Sequence, residues 1–282
     1  MPSREAATPP TAFLDVAGRT VRYTAAGSGP PVLLLHGLDR SLADWAPLQA
    51  ALPDHRLIAI DVPGFGRSQP LPDCRLDSLT GHVERVLDRL EVLSTVHVVG
   101  NSLGGAIAMQ LTAHAPERVA SLALLNSAGF GREVTWALRI LDLPLIWRLL
   151  LRPGEGNARL TERSLFHDPD FATPERIAAA VALARREGAA RTLRQVARDL
   201  GSWRGVRSDW RARLLAEISA LDTPTLVVWG THDRIFPARH LINAASALPR
   251  ARTHLFPRTG HLPQIERTEE TAVLLSSFWN GL

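Results

Sequence analysis

Short β-rich runs alternate with amphipathic helical stretches from Ala12 to about Gly129, and this alternation limits the fold more than any other feature of the sequence. Consecutive parallel strands need a crossover of a dozen or more residues, which is usually a helix. The pattern therefore predicts an α/β fold with a mostly parallel sheet and helices on both faces. The same pattern resumes after residue 221. We predict eight strands, at residues 13–16, 20–25, 32–35, 57–60, 96–100, 122–126, 225–229 and 253–256.

A different pattern fills the chain between the sixth and seventh predicted strands. Residues 130–220 are rich in arginine, leucine and alanine at helical spacing and contain no convincing strand. We therefore predict a first part of the core at 1–129, an inserted helical cap at 130–220 and a second part of the core at 221–282. A chain of 282 residues, 45% of them hydrophobic, is long enough to bury such a core. Core helices are predicted near 41–51, 76–93, 103–114 and 238–248, and from about 266.

Composition excludes several kinds of chemistry. Cys74 is the only cysteine, so the chain has neither an intramolecular disulfide nor a cysteine cluster for zinc or iron–sulfur binding. All 32 basic side chains are arginine, which excludes a lysine Schiff base and a Walker-type phosphate loop. Because the arginines lie scattered among acidic residues, we expect no nucleic-acid partner.

The compartment and partners follow from what the sequence lacks. No stretch has the length of a membrane span, and the first eleven residues lack the apolar core of a signal peptide. We therefore expect a cytoplasmic protein with no integral membrane span, whose partner is a small-molecule substrate. We expect no metal and no cofactor, and the sequence leaves a homo-oligomer open.

Ser102 lies in the run VVGNSLGG, which joins the fifth predicted strand to a predicted helix. A serine at the tip of a sharp strand-to-helix turn adopts strained backbone geometry, so the residues two positions away on either side must be small. Gly100 and Gly104 meet this need, and Gly105 lets the helix pack close to the strand. The start of the helix directs free amide groups and a partial positive charge toward the serine. This arrangement predicts a nucleophilic serine.

Acyl transfer by a serine also requires a base and an acid that orients the base. Asp233 and His261 each follow a predicted strand, which places both at the same sheet edge as the serine. We predict His261 as the base and Asp233 as the acid. Asp209 and Asp222 are alternative acids, but neither follows a strand-end glycine. Asn126 follows another strand, but its amide cannot hold a cationic imidazole.

Backbone amides are predicted to bind the oxyanion that develops during acyl transfer. One donor is the amide of Leu103, the residue after the nucleophile. The second comes from the loop His36-Gly37-Leu38-Asp39 after the third strand, where we predict the amide of Leu38 and, as the second choice, that of Asp39. His36 precedes the turn and is predicted to be a buried hydrogen-bonding residue rather than the base.

The whole chain resembles the α/β-hydrolase superfamily, and within it the capped serine hydrolases that include esterases and meta-cleavage-product hydrolases. The motifs that carry the resemblance are LLLHGLDRSLADW, IAIDVPGFGRS, VVGNSLGG, VVWGTHDRIFP and GHLPQIE. The resemblance implies an α/β-hydrolase fold with an eight-stranded, mostly parallel sheet, and a triad in the order Ser102, Asp233, His261. It also implies that the turn in IAIDVPGFGRS is structural rather than catalytic.

Contacts with the substrate are predicted for Asn101, Asp39, Leu262 and Trp136. The resemblance to hydrolases that cleave carbon–carbon bonds in ring-fission products implies more about two of these positions. Those relatives also have an asparagine before the nucleophile, but they usually have a tryptophan where this chain has Leu262. In them a cap arginine binds the substrate carboxylate, and the candidates here are Arg185, Arg186, Arg191, Arg194 and Arg198.

Together these residues predict hydrolysis of an ester or related acyl bond of a small to medium apolar substrate through an acyl-enzyme. The predicted class is a carboxylesterase or lipase (EC 3.1.1), followed by a carbon–carbon hydrolase of ring-fission products (EC 3.7.1). The sequence leaves two more functions open, a cofactor-free perhydrolase or acyltransferase and a non-catalytic ligand-binding receptor on the same fold. An inward-facing cap arginine near Asn101 would favour the carbon–carbon hydrolase.

Overall fold

The computed structural model describes residues 9–143, 147 and 151–282. In these ranges the strands are β1 (Thr11–Val16), β2 (Arg19–Ala26), β3 (Pro31–Leu35), β4 (Arg56–Ile60), β5 (Val96–Asn101), β6 (Val119–Leu125), β7 (Gly201–Ser202), β8 (Gly205–Val206), β9 (Thr225–Gly230) and β10 (Arg252–Phe256). The helices are α1 (Ala46–Ala51), α2 (Leu76–Arg89), α3 (Leu103–His114), α4 (Trp136–Arg139), α5 (Glu155–Leu165), α6 (Pro174–Ala184), α7 (Ala189–Leu200), α8 (Ser208–Ser219), α9 (Arg239–Ala247), α10 (Pro263–Glu266) and α11 (Thr268–Trp279). Short 3₁₀ turns cover Leu42–Trp45, Pro116–Arg118, Ile140–Asp142 and Pro169–Phe171.

The eight predicted strands all form, and they lie in one sheet in the order β1-β2-β4-β3-β5-β6-β9-β10. β1 pairs antiparallel with β2, and β2 with β4, whereas the other neighbours are parallel. Ala17 and Gly18 join β1 to β2 with φ of 51° and 74°, the left-handed geometry that a tight two-residue hairpin turn requires. The predicted mostly parallel sheet with helices on both faces is confirmed.

Both faces of the central strands are buried. In β3, Leu33 and Leu35 pack on the face that α2, α3 and α8 cover. Val32 and Leu34 pack on the opposite face, which α1 and α11 cover. Burial on both faces explains why these strands read as unbroken apolar runs. Because β3, β5, β6, β9 and β10 run parallel, the loops that leave their carboxyl ends meet at one edge of the sheet.

The chain between β6 and β9 contains α4 to α8 and a second, two-stranded sheet. In that sheet Gly201 lies opposite Val206 and Ser202 opposite Gly205, in antiparallel pairing. The prediction that this segment contains no strand is therefore wrong, because strands of two residues are too short to show the alternation by which strands are found. None of the helices in the described ranges combines the length and the apolar character needed to cross a membrane.

Three helix boundaries differ from the predicted ones. The helix predicted at 41–51 begins as the 3₁₀ turn Leu42–Trp45 before it continues as α1. The helix predicted at 76–93 ends at Arg89, and Glu91 has φ 54°, a left-handed conformation that ends a helix. The last helix, predicted from about residue 266, begins at Thr268 as α11, and the short helix α10 precedes it.

Candidate active site

Ser102 stands at the turn between β5 and α3, with φ 56° and ψ −116°. A residue with a side chain rarely adopts a positive φ, so its surroundings must hold this conformation. A Cβ on Gly100 would overlap the carbonyl oxygen of Gly104, and a Cβ on Gly104 would overlap that of Leu35. The turn therefore closes only with glycine at both positions.

Asp233 and His261 lie in contact at the same edge of the sheet as this turn. Asp233 follows β9 and His261 follows β10, and the parallel pairing aligns their carboxyl ends with that of β5. His261 Nδ1 lies 2.9 Å from Asp233 Oδ2. Ser102, Asp233 and His261 are only 7%, 8% and 4% exposed, so little water competes for their hydrogen bonds. When Nδ1 of His261 donates to the carboxylate, Nε2 keeps a lone pair with which to accept a proton.

The Asp233 carboxylate accepts four hydrogen bonds. Oδ1 accepts from the backbone N–H groups of Ile235 at 2.7 Å and Phe236 at 3.1 Å. Oδ2 accepts from the side-chain amide of Asn126 at 2.7 Å and from His261. Every partner is a donor, an arrangement that suits an ionised carboxylate and fixes its orientation.

Asn126 is a site residue whose role the sequence does not predict, because it was considered only as the acid and rejected as an amide. It follows β6 with φ 45°, a conformation that asparagine tolerates better than most residues. Its Nδ2 donates to Asp233 Oδ2 and, at 3.3 Å, to the carbonyl oxygen of Gly260. The signal that points to this role is an asparagine directly after the strand next to the one that carries the acid.

The loop after β3 packs against the serine turn. A Cβ on Gly37 would lie 3.1 Å from Cβ of Ser102, which shows how closely the two segments approach. His36 is fully buried, its Nε2 accepts the backbone N–H of Val62 at 3.0 Å, and its Nδ1 donates to the carbonyl oxygen of Gly37 at 2.8 Å. Desolvation lowers the pKa of His36, against the opposing effect of Asp61. His36 is therefore a neutral residue that holds the loop.

A cavity of about 60 Å³ opens at Ser102. Leu38 and Leu103, whose amides are the predicted oxyanion donors, both line it. The other described side chains in its wall are mostly apolar and come from the loops after β6 and β9, from α4, from α7 and from the small sheet. They are Ala128, Val134, Leu138, Ala197, Leu200, Gly201, Ser202, Gly205, Val206 and Phe236.

The four residues predicted to contact substrate are not among the described residues of this wall. Asn101 is buried, and its Nδ2 donates to the carbonyl oxygens of Leu125 and His261, both at 3.0 Å. Among the residues that the structure describes, its Oδ1 has no hydrogen-bond partner. Leu262 is fully buried in a separate apolar cluster with Leu165 and Phe166. Trp136 on α4 is 68% exposed and Asp39 is also exposed. Their contacts with a substrate stay predictions.

The five arginines predicted as carboxylate partners have other surroundings. Arg186 donates to the carbonyl oxygens of Gly66 and Ser68. Arg194 donates to the carbonyl oxygen of Leu141, and Arg198 pairs with Asp142. Arg185 and Arg191 are exposed to solvent. No arginine occurs among the described residues that line the cavity at Ser102.

Asp39 provides a test of stability against pH. It follows Leu38 with φ 58°. Although the residue reaches solvent, desolvation by the protein around it raises the pKa of its carboxyl to about 6, against the opposing effect of Arg40. The folded protein thus holds this proton more tightly than the unfolded chain does. Above pH 6 the ionised Asp39 lowers the free energy of unfolding. This loss of stability disappears as the pH falls toward the ordinary carboxyl pKa of about 4. We expect Asp39→Asn to raise the melting temperature at about pH 8 and to leave it unchanged at about pH 4.

Thermal unfolding at the two pH values measures this effect, with Asp54→Asn, at an exposed position outside the site, as the matched control. Equal stabilisation by Asp39→Asn at both pH values would contradict the raised pKa of Asp39.

Comparison with known proteins identifies the family. The family described as alpha/beta hydrolase fold matches residues 30–268 of this chain. A dihydrolipoyllysine-residue acetyltransferase component of an acetoin cleaving system, from Pseudomonas putida, is 33% identical over 268 residues, which are 94% of this chain and 68% of that protein. Lipase 1 of Psychrobacter immobilis is 29% identical over 255 residues, which are 87% of this chain and 75% of that protein.

A solved structure extends the similarity to three dimensions. The meta-cleavage product hydrolase from Pseudomonas fluorescens IP01 is 26% identical and superimposes with a TM-score of 0.80, over 96% of this chain and 97% of that one. The family match covers the sheet from before β3 to the start of α11 and includes the loops that carry the candidate site. The chain therefore belongs to the α/β-hydrolase family and is a hydrolase of that family.

Proposed function

We propose that this protein is a serine hydrolase that cleaves an ester or related acyl bond of a small to medium apolar substrate. The observation that carries the proposal is the position of Ser102, at a strained turn in the wall of an apolar cavity, on the sheet edge that also holds the bonded pair Asp233 and His261. The three donors to Asp233 other than His261 orient its carboxylate as the partner of the cationic imidazole that forms when His261 takes up a proton.

Acylation begins when His261 Nε2 removes the proton from Ser102 Oγ as the oxygen attacks the substrate carbonyl carbon. The carbonyl π-electrons move to the oxygen, and the backbone amides of Leu38 and Leu103 bind the resulting oxyanion. Since Leu103 begins α3, the positive end of that helix adds to the stabilisation of the negative charge. Asp233 stabilises the imidazolium throughout.

Acylation ends when the tetrahedral intermediate collapses: the bond to the alkoxide breaks, and His261 donates its proton to the leaving oxygen. Deacylation uses the same groups again, with water as the nucleophile. A water molecule then gives a proton to His261 as it attacks the acyl-enzyme carbonyl. The second intermediate releases the carboxylic acid and returns the proton to Ser102. No step requires another group.

The cavity supports an apolar substrate. Leu138, Leu200, Val206 and Phe236 face the space beside Ser102, and no described side chain in the wall carries a charge. An acyl chain of a few carbons gains from such a wall, whereas a carboxylate there would lose its hydration without gaining a partner. We propose that residues 130–220 form a cap over this cavity, because α4, α7 and the small sheet supply much of the wall.

Carbon–carbon hydrolysis of a ring-fission product is the second candidate. The structural similarity to a meta-cleavage product hydrolase favours it. So does Asn101, whose buried Oδ1 lies beside the serine turn and has no hydrogen-bond partner in the described part of the chain. The wall of the cavity favours the ester instead, since ring-fission substrates carry a carboxylate.

Two measurements on the same preparation test the proposal. A fluorophosphonate probe followed by peptide mass spectrometry is expected to label Ser102 in the folded protein and to label nothing after denaturation. Nitrophenyl esters of increasing acyl length are expected to be turned over, whereas a ring-fission dienoate is not. An unlabelled Ser102 would refute the serine mechanism, and faster turnover of the dienoate than of every ester would establish the second candidate. Product that forms only when a peroxide or alcohol acceptor is added would identify a perhydrolase or acyltransferase. Binding of an ester without turnover would identify a receptor.

A further inference from the structure

Glu266 is a buried carboxylate that the proposed mechanism does not use. It is the last residue of α10 and only 8% exposed. One oxygen, Oε2, accepts the backbone N–H of Gly260 at 2.6 Å, and the other, Oε1, accepts that of Asp168 at 2.8 Å. Gly260 directly precedes His261, whereas Asp168 follows α5 in the chain between β6 and β9. One side chain thus joins the loop of the candidate base to the inserted helices.

The segment after α5 also touches this loop directly. The backbone N–H of His261 donates to the carbonyl oxygen of Leu165 at 2.6 Å. A Cβ on Gly260 would lie 2.7 Å from Cα of Phe166, too close for any residue but glycine. The backbone of residues 260–261 is therefore pressed against residues 165–166, and the Glu266 side chain adds a second link through Asp168.

The helix that ends in this segment is itself anchored to the loop after β3. Glu162 on α5 is 1% exposed and pairs with Arg40 and, at 3.2 Å, with Arg176 on α6. Arg40 makes two bonds of 2.7 and 2.8 Å to Asp44, and Arg176 reaches the same carboxylate at 3.0 Å. Two cations and two anions alternate in this cluster, so each buried charge has opposite charges beside it.

We propose that Glu266 is a positioning residue that holds His261 by tying residues 260–261 to the anchored end of α5. The inference rests on the proposed function in so far as His261 is the base, but the contact itself does not depend on which substrate is cleaved. Loss of the tie removes the acceptor of the buried Gly260 N–H and of the Asp168 N–H, and frees the loop to move relative to Asp233. A displacement of about 1 Å in a catalytic group is enough to lower a rate roughly 100-fold.

Glu266→Gln tests the proposal with the smallest change of shape. The amide keeps one acceptor but places an NH₂ donor against a backbone N–H, so one of the two bonds is lost. Glu269→Gln is the matched control, since it makes the same chemical change at an exposed position three residues away. Glu266→Asp keeps the charge but has a shorter side chain, and we expect its imidazole N–H resonance and its kcat to lie between those of the wild type and of Glu266→Gln.

The first readout is the low-field imidazole N–H proton resonance, which reports the hydrogen bond between His261 and Asp233 in the folded protein whether or not an ester is cleaved. We expect this resonance to shift or broaden in Glu266→Gln and to be unchanged in Glu269→Gln. The second readout is ester turnover, in which we expect kcat of Glu266→Gln to fall about 10- to 100-fold with KM little changed.

A wild-type resonance together with wild-type kcat in Glu266→Gln would overturn the proposal. If Glu266→Gln does not fold, the same two readouts on Glu266→Asp decide, and a wild-type resonance and kcat there would also overturn it. A changed resonance in a protein that turns over no ester would support the role of Glu266 while refuting the proposed function, so the two failures are distinguishable.

Discussion

Replacing Ser102 with alanine is expected to lower kcat for a nitrophenyl ester on the order of 10⁶-fold, because the acyl-enzyme has no oxygen on which to form. The substitution removes a single oxygen atom at a turn that the neighbouring glycines hold in place. The melting temperature is therefore expected to stay close to that of the wild type. A continuous assay with the ester, together with circular dichroism at rising temperature, measures both effects.

Ser219→Ala serves as the control, because Ser219 ends α8 on the exposed surface, away from the site. We expect it to retain wild-type turnover and full labelling by the fluorophosphonate. Ser102→Ala should take no label. More than about a tenth of wild-type turnover in Ser102→Ala would show that another group is the nucleophile, since loss of a catalytic serine has a far larger effect in enzymes of this type.

Asp233→Asn is expected to lower kcat about 10⁴-fold. An amide has one acceptor and one donor, but the four partners of Asp233 are all donors. If the NH₂ group replaces Oδ1, it faces the N–H groups of Ile235 and Phe236. If it replaces Oδ2, it faces Asn126 and forces His261 to present the other tautomer, which leaves no base at Nε2.

Either orientation of the amide leaves at least one buried donor unpaired, so Asp233→Asn is also expected to lower the free energy of unfolding by about 1–3 kcal/mol. Chemical denaturation measures this, and steady-state kinetics measures the loss of kcat. Asp222→Asn and Asp209→Asn are the matched controls. The Asp222 carboxylate is 93% exposed and pairs with Arg250 on the surface. If Asp233→Asn stays active and one control loses most of its kcat, the aspartate changed in that control is the acid.

The sheet and the location of the candidate site could be predicted because both depend on local patterns. Each central strand is an apolar run long enough to read on its own, and parallel strands deliver whatever follows them to one edge. Asp233 and His261 follow such strands, so their meeting at 2.9 Å follows from topology. Glycine on both sides of Ser102 indicated the strained turn in the same way, through two positions that tolerate no side chain.

The contacts that hold the site could not be predicted, because they join residues far apart in the sequence through single side chains. Asn126 reaches Asp233 across 107 positions, and Asp168 reaches Glu266 across 98. Nothing in the local pattern distinguishes a buried Glu266 from the exposed Glu269 that follows it. The inserted segment was equally hard to predict, because its two-residue strands leave no periodic trace. Three of its candidate arginines, Arg186, Arg194 and Arg198, bind carbonyl oxygens or Asp142 and do not line the cavity.

The turn at Ser102 owes its shape to its neighbours and not to the serine. Gly100 and Gly104 fit against backbone oxygens, and the strained φ of 56° persists as long as those contacts do. Any small side chain at position 102 is consequently displayed at the same point of the cavity wall. Ser102→Cys would present a thiol there, and an alanine would present no nucleophile. A lineage built on this turn can change or lose its chemistry by a single substitution while every strand and helix stays where it is.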